Sequence, residues 1–213
     1  MLFRSGQIVG DSQYNDAYGA PSDRAVAKLK THLTPYVQEF IQNAPFAIMA
    51  TTGEDGRCDA SPKGGKPGFV KVLDEKHILF PDVAGNRLFQ SYQNIETNPY
   101  IGLIFFIPGM NDTVRVNGKV TVVTKEELEL QNIELSLYET DDNSKYLQGM
   151  LIEVEEAYGH CPRALNFSHL WDPEEIAKNK ANAPIGARTD ENYYQHEEDR
   201  KSTRLNSSHV LTS

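Results

Sequence analysis

From Phe46 to Tyr158 the chain alternates apolar and polar positions in short runs, each bounded by residues that favour turns. Period-two alternation of this kind predicts half-buried strands. Alternation and short apolar runs place strands at residues 46–52 (FAIMATT), 57–63 (RCDASPK), 68–73 (GFVKVL), 77–81 (HILFP), 114–124 (VRVNGKVTVVT) and 150–158 (MLIEVEEAY), and the continuous apolar run at 100–107 predicts a buried strand. The GEDG stretch at 53–56 predicts a hairpin turn between the first two. Helical spacing takes over elsewhere. Residues 22–32 follow a Ser22 cap, and residues 34–43 follow Thr34 with Pro35 at the first helical position and Val37, Phe40 and Ile41 on one face. Leu88, Tyr92 and Ile95 predict a helix over 85–97, and further helices are expected over 125–137 and 162–169. Residues 1–20 show no sustained period, and 176–190 read as an extended arm. Six or seven strands at hairpin spacing, with one helix between the fourth and fifth, predict a mainly β fold. Its architecture would be a small antiparallel barrel with flanking helices.

The 213 residues suit one domain with decorations, and 39% hydrophobic with 24% charged residues is a globular composition. The longest apolar run, residues 101–107, is far short of the roughly 20 residues that span a bilayer. The N-terminus turns polar too early for a signal peptide. Cys58 and Cys161 make neither a disulfide framework nor a metal-ligand spacing, so a cytoplasmic protein with free thiols is expected. A net charge of −9 argues against nucleic acid as a partner, yet it leaves room for one local cationic pocket. Residues 199–213 (DRKSTRLNSSHVLTS) are polar and aperiodic, which predicts a disordered tail. They also resemble the translation of a sequencing-adapter oligonucleotide. Without them 18 basic and 29 acidic residues remain, a net charge of −11.

Four segments could carry chemistry. In PDVAGNR, residues 81–87, a strand runs through a glycine turn toward the predicted helix, with Asn86 and Arg87 in its first turn. Helix N-termini attract anions, a guanidinium matches phosphate oxygens, and Ser91 one turn on could add a hydroxyl. The plain alternative is a glycine turn with a solvated arginine. In SPKGGKPG, residues 61–68, glycines beside Lys63 and Lys66 would let backbone approach a flat ligand or phosphate; the alternative is a hairpin loop with solvated lysines. In VRVNG, residues 114–118, Arg115 and Asn117 share one strand face opposite Val114 and Val116. In residues 158–171, His160, Cys161, Arg163 and Ser168 crowd a strand-to-helix junction. A buried thiol and a hydrogen-bonded histidine are expected there, since nothing is placed to activate Cys161.

The ordered set FAIMATTGEDGRCDASPKGG, GFVKVLDEKHILFPDVAGNR, NIETNP and TVRVNGKVTVV resembles the pyridoxamine 5'-phosphate oxidase-like FMN-binding split barrels, closest to an uncharacterised bacterial subgroup. The resemblance implies a six-stranded antiparallel split β-barrel over residues 22–173. An N-terminal extension (1–21), a C-terminal arm (174–198) and the tail (199–213) would flank it. It further implies a homodimer with FMN between subunits. Ser61, Pro62 and Lys63 would lie along the flavin and its phosphate arm, and Phe80, Pro81 and Asp82 beside the isoalloxazine. Asn86 and Arg87 would hold the phosphate, Arg115 and Asn117 would approach the cofactor, and His160, Cys161 and Arg163 would fall at the cleft mouth. The basic strand and C-terminal Trp–Arg region that take the substrate phosphate in the oxidases proper are not placed in this sequence, which argues against vitamin B6 oxidation, and Gly65 stands where the subgroup would have an acidic residue. The function implied is FMN-dependent oxidoreduction of a small-molecule substrate, with no membrane or nucleic-acid partner. The alternatives are a non-catalytic flavin- or haem-binding protein and a deazaflavin-dependent reductase.

Overall fold

The computed structural model describes residues 12–83, 89–130, 137–138, 146–187 and 189. The chain divides after Trp171. The larger part opens with three helices, α1 (Gln13–Tyr18), α2 (Asp23–Ala27) and α3 (Pro35–Asn43). The first occupies a stretch without sequence periodicity and buries none of its residues. The second is capped by Ser22 as expected but is only five residues long. By Lys30 the backbone already bridges to Ala157, and the amide given to that bridge cannot continue a helix. The third follows its prediction: Thr34 Oγ1 accepts from the Val37 N–H, Pro35 opens the helix, and Val37, Phe40 and Ile41 are buried.

All seven predicted strands form: β1 (Phe46–Thr52), β2 (Cys58–Gly64), β3 (Lys71–Val72), β4 (His77–Val83), β5 (Tyr100–Phe106), β6 (Thr113–Thr124) and β7 (Tyr146–His160). They make one antiparallel sheet in the order β2-β1-β5-β6-β7-β4-β3. The count is therefore seven rather than the six that the resemblance implied. The seventh is β3, shortened to two residues at the edge beside β4. Glycine at position 56, with φ of +78°, closes the predicted hairpin between β1 and β2.

The sheet curls on itself. Lys63 on edge strand β2 lies 3.4 Å from Asp82 on β4, five places away in the strand order. Strands lie about 4.8 Å apart, so a flat sheet would hold these two about 24 Å from each other. Curling encloses one core to which both ends of the sheet contribute, including Ala47 and Met49 of β1, Leu103 and Phe105 of β5, Val114 and Val116 of β6, and Ile78 and Phe80 of β4. A bulge at Asn117/Gly118 interrupts the long β6–β7 ladder, where a bulged strand can bend.

Two further helices follow their strands in this part. The first described turn of the expected helix over 125–137 is α5 (Lys125–Leu130), and α6 (Arg163–Ser168) fits within the expected 162–169. The stretch 131–136 lies outside the described residues, as does the tail 199–213. Between β4 and β5 comes α4 (Gln90–Thr97), with Tyr92 and Ile95 buried. The smaller part, from Asp172, contains α7 (Pro173–Ala181), which overturns the expected extended arm over its first residues. Asp172 Oδ1 accepts from the Glu174 and Glu175 N–H groups, and basic Lys178 and Lys180 sit in the last turn, where they complement the helix dipole. Among the described residues no helix is long and apolar enough to cross a membrane.

Candidate functional site

Strand β2 puts successive side chains on opposite faces, and its polar ones share a face. Asp59, Ser61 and Lys63 are half-buried and point to the enclosed side, while Cys58, Ala60, Pro62 and Gly64 are exposed. The register fixes this, because Ser61 pairs with Met49 and Lys63 with Ala47, both fully buried core residues. Directly paired residues share a face. At the seam, Lys63 Nζ donates to Asp82 Oδ1 across 3.4 Å, with the two side chains 23% and 14% exposed. Asp82 shares its face of β4 with buried Phe80, whose ring meets Phe69 edge-on with centroids 5.4 Å apart. Pro81, also buried, occupies the opposite face of β4.

Helix α4 closes over this seam. Ser91 Oγ donates to Asp59 Oδ2 at 3.2 Å, and Asn94 Nδ2 donates to the buried Thr51 Oγ1 at 2.9 Å. Among the described residues the buried Tyr92 hydroxyl meets no partner in good hydrogen-bond geometry, although the Asp82 and Gln148 side chains lie near enough to act on its ionisation. Burial first, and then the Asp82 carboxylate, push its pKa far above the ordinary phenol range. The helix starts at Gln90, with Phe89 as its cap at φ of +50°. A left-handed residue cannot lie inside a right-handed helix, so α4 begins after Phe89 and not at the expected residue 85. Asn86 and Arg87 lie outside the described residues.

Three other candidates sit on the outer face. Pro62, Ile48, Ile104, Arg115 and Tyr158 form one cross-strand row through β2, β1, β5, β6 and β7. Ala60, Ala50, Gly102, Asn117 and Glu156 form the next. Arg115 Nη1 donates to Tyr158 Oη at 3.0 Å, and Asn117 Nδ2 donates to Glu156 Oε1 at 2.8 Å. Apolar side chains dominate the β1–β5 part of this face: Phe46 and Ile48 are 37% and 36% exposed, and the Phe46 and Phe106 rings touch. Beyond Tyr158, His160 is exposed and stacks on the tyrosine ring. Cys161 is exposed as well, which corrects the expected buried thiol: β7 ends at His160, and the next residue leaves the sheet.

The structure thus gathers Ser61, Lys63, Asp82 and Ser91 at the enclosed seam and places Pro62, Arg115 and Asn117 outside. Asp59 and Tyr92 belong to the seam although sequence reasoning did not single them out. Asp59 was detectable, since it lies in phase with Ser61 and Lys63. Tyr92 carried only a core signal, because helical spacing shows which residue is buried but not what faces its hydroxyl. Chemically the seam offers a half-buried ammonium and a hydroxyl two positions away, about 7 Å along a strand. That pairing suits a phosphate group, which would replace Asp82 as the partner of Lys63. The edge of β2 adds backbone polar groups that no strand pairs.

Residues 33–161 match the family model for pyridoxamine 5'-phosphate oxidase. Three solved structures are similar to the chain. A proposed pyridoxamine 5'-phosphate oxidase of Lactobacillus delbrueckii is 18% identical over 61% of this chain and 95% of its own, with a TM-score of 0.45. HupZ of Group A Streptococcus is 17% identical over 59% and 92%, with a TM-score of 0.42. A relative of general stress protein 26 from Clostridium acetobutylicum, of the pyridoxinephosphate oxidase family, is 14% identical over 57% and 83%, with a TM-score of 0.41. No curated protein matches the chain.

Proposed function

The chain belongs to the pyridoxamine 5'-phosphate oxidase family, and from that premise we propose that it binds FMN and works as an FMN-dependent oxidoreductase on a small molecule. The observation that carries the reading is the Lys63–Asp82 pair, a cation held at 23% exposure on the same strand face as Ser61. Bound FMN supplies the two-electron redox chemistry, and the chain supplies binding, orientation and electrostatics. Lys63 neutralises the phosphate, and Ser61 donates its hydroxyl to it. Partial burial weakens solvent screening, so the lysine's charge acts more strongly there than on an open surface. Asp82 would hold the ammonium in place until the anion takes it over, and Ser91 donates to the Asp59 carboxylate on the same strand face. Asn86 and Arg87 add further phosphate donors in this reading.

A second copy of the chain covers the apolar part of the outer face, where Phe46, Ile48, Ile104 and Phe106 stand beside the small residues Ala50 and Gly102. Small side chains allow the two sheets to approach closely.

The test is the visible spectrum of the purified protein, followed by chromatography of the cofactor released on heating. A yellow protein that releases FMN is expected, and NADH or NADPH should bleach it. Replacing Lys63 with Met removes a charge-assisted contact worth about 1.5–3 kcal/mol, so FMN should bind about ten- to a hundredfold more weakly. A colourless protein that takes up no added FMN would sink the oxidoreductase reading.

A further inference from the structure

An anion that takes Lys63 leaves Asp82 behind. The Asp82 Oδ1 accepts from Lys63 Nζ at 3.4 Å, and the aspartate side chain is only 14% exposed. A carboxylate so far from water that loses its cation and faces a second anion is costly, because like charges repel strongly where water screens them poorly. The fold places a replacement donor beside it. Asp82 pairs with Gln148 across the β4–β7 ladder, so the two side chains share the enclosed face. Tyr92, on the helix that closes over this face, is 9% exposed, and its hydroxyl lies close enough to both for the carboxylate to act on the phenol. Yet among the described residues that hydroxyl donates to nothing in good geometry. Buried hydroxyls are seldom left so, and an orphan in a native core calls for a reason. The preceding residue shows what α4 does elsewhere at the seam: Ser91 gives its hydroxyl to Asp59, the carboxylate on β2. Successive helical residues point about 100° apart, so α4 straddles the seam with Ser91 toward β2 and Tyr92 toward β4.

We propose that Tyr92 is a positioning residue that takes over Asp82 when an anion occupies the seam: Lys63 leaves the carboxylate for a phosphate group, and the Tyr92 hydroxyl turns to donate to the carboxylate that Lys63 has released. The exchange rests on the phosphate seam of the flavin reading and adds to it a second hydrogen-bonding state. In the empty protein Lys63 holds Asp82 and the phenol is unsatisfied. In the occupied protein Lys63 holds the phosphate and the phenol holds Asp82, so neither the carboxylate nor the hydroxyl is left alone. No proton moves, because burial and the neighbouring carboxylate keep the phenol protonated far beyond the ordinary range. The exchange also ties Tyr92 to the phosphate rather than to the flavin ring. A flavin without a phosphate leaves Lys63 on Asp82 and makes no use of the phenol.

The test is binding of FMN and of riboflavin, the same ring without a phosphate, to the full chain and to Tyr92→Phe, read by quenching of flavin fluorescence. Tyr92→Phe should weaken FMN about five- to tenfold, the worth of one hydrogen bond, and leave riboflavin within about twofold. In an Asp82→Asn background, which has no charge to take over, the same substitution should change FMN binding by less than about twofold. Inorganic phosphate gives a readout free of flavin. Adding it to the wild-type chain should produce a red-shifted tyrosine difference spectrum that Tyr92→Phe lacks. Unchanged FMN binding in Tyr92→Phe, or equal weakening of FMN and riboflavin as from a packing defect, would overturn the exchange and leave the flavin reading standing. An undiminished loss in the Asp82→Asn background would overturn it as well. A Tyr92-dependent phosphate spectrum from a chain that takes up no FMN would support the exchange and sink the flavin reading instead. A chain that binds neither FMN nor phosphate would overturn both.

Discussion

Tyr92 shows how one side chain can be assigned to the core by its spacing and still present a polar atom to a site. Among the described residues its buried hydroxyl has no partner in good hydrogen-bond geometry, and a buried donor left unmade costs about 1–3 kcal/mol. Tyr92→Phe should therefore leave stability unchanged or raise it by about 1 kcal/mol, measured by urea unfolding near neutral pH. The sign of its pH dependence follows from the raised pKa. Above about pH 10 the unfolded chain ionises this phenol while the folded chain keeps it protonated, so the stability present below that pH is lost as pH rises. The variant should then show a shallower decline between pH 9 and 11 than wild type. Asp74 behaves oppositely. Its carboxylate accepts from the Lys76 N–H at 2.6 Å and from His77 Nδ1 at 3.0 Å, and these bonds hold its pKa below the ordinary aspartate value. Its contribution is present above the unfolded value of about 4 and disappears as pH falls through the folded one. A carboxyl NMR titration should give Asp74 a midpoint below that of free aspartate. Neither effect was legible beforehand. The sequence identifies the group, but its partners come from elsewhere in the fold or from the geometry of a turn.

Strands were more legible than helix ends. Alternation in β1, β5 and β6 reflects one face turned to the core, a local pattern that survives whatever the strand pairs with. The start of α4 was misplaced because Leu88, Tyr92 and Ile95 continue a helical spacing backward past Phe89, whose left-handed backbone no spacing reveals. Gly118 is the element-scale feature with the sharpest consequence. It faces the bulge of β7, where Glu155 has no partner in the ladder, and a Cβ there would collide with the Glu153 carbonyl and reach 3.0 Å from Ile152 Cγ2. Gly118→Ala should destabilise the protein by about 1–3 kcal/mol or prevent folding, read as a fall in melting temperature. A glycine inside VRVNGKVTVV was visible in the sequence, and such a glycine often marks a bulge or close approach. Which carbonyl it accommodates was not.

At the scale of the whole molecule, the outer face and the chain's end invite the clearest tests. Ile48 stands mid-strand on the exposed face, between Pro62 and Ile104 in the same row. With a second copy on this face as proposed, Ile48→Lys should convert a dimer to a monomer in light scattering, and a wild-type protein that is already monomeric would sink that contact. Removing residues 199–213 should leave the melting temperature unchanged. The sequence by itself determined the strand set, the capped helix at Pro35–Asn43, the turn at 53–56 and the parity of β6 at Val114–Asn117, because these depend on neighbours a few residues away. It also brought Ser61, Lys63 and Asp82 forward as candidates. Only the tertiary structure decided that Lys63 meets Asp82, that Lys28 and Arg115 share the Tyr158 ring, and that Lys63 and Arg115 face opposite sides. Those relations depend on how strands register and how far the sheet curls. Both are settled by packing the whole core at once, over distances along the chain that local periodicity does not reach.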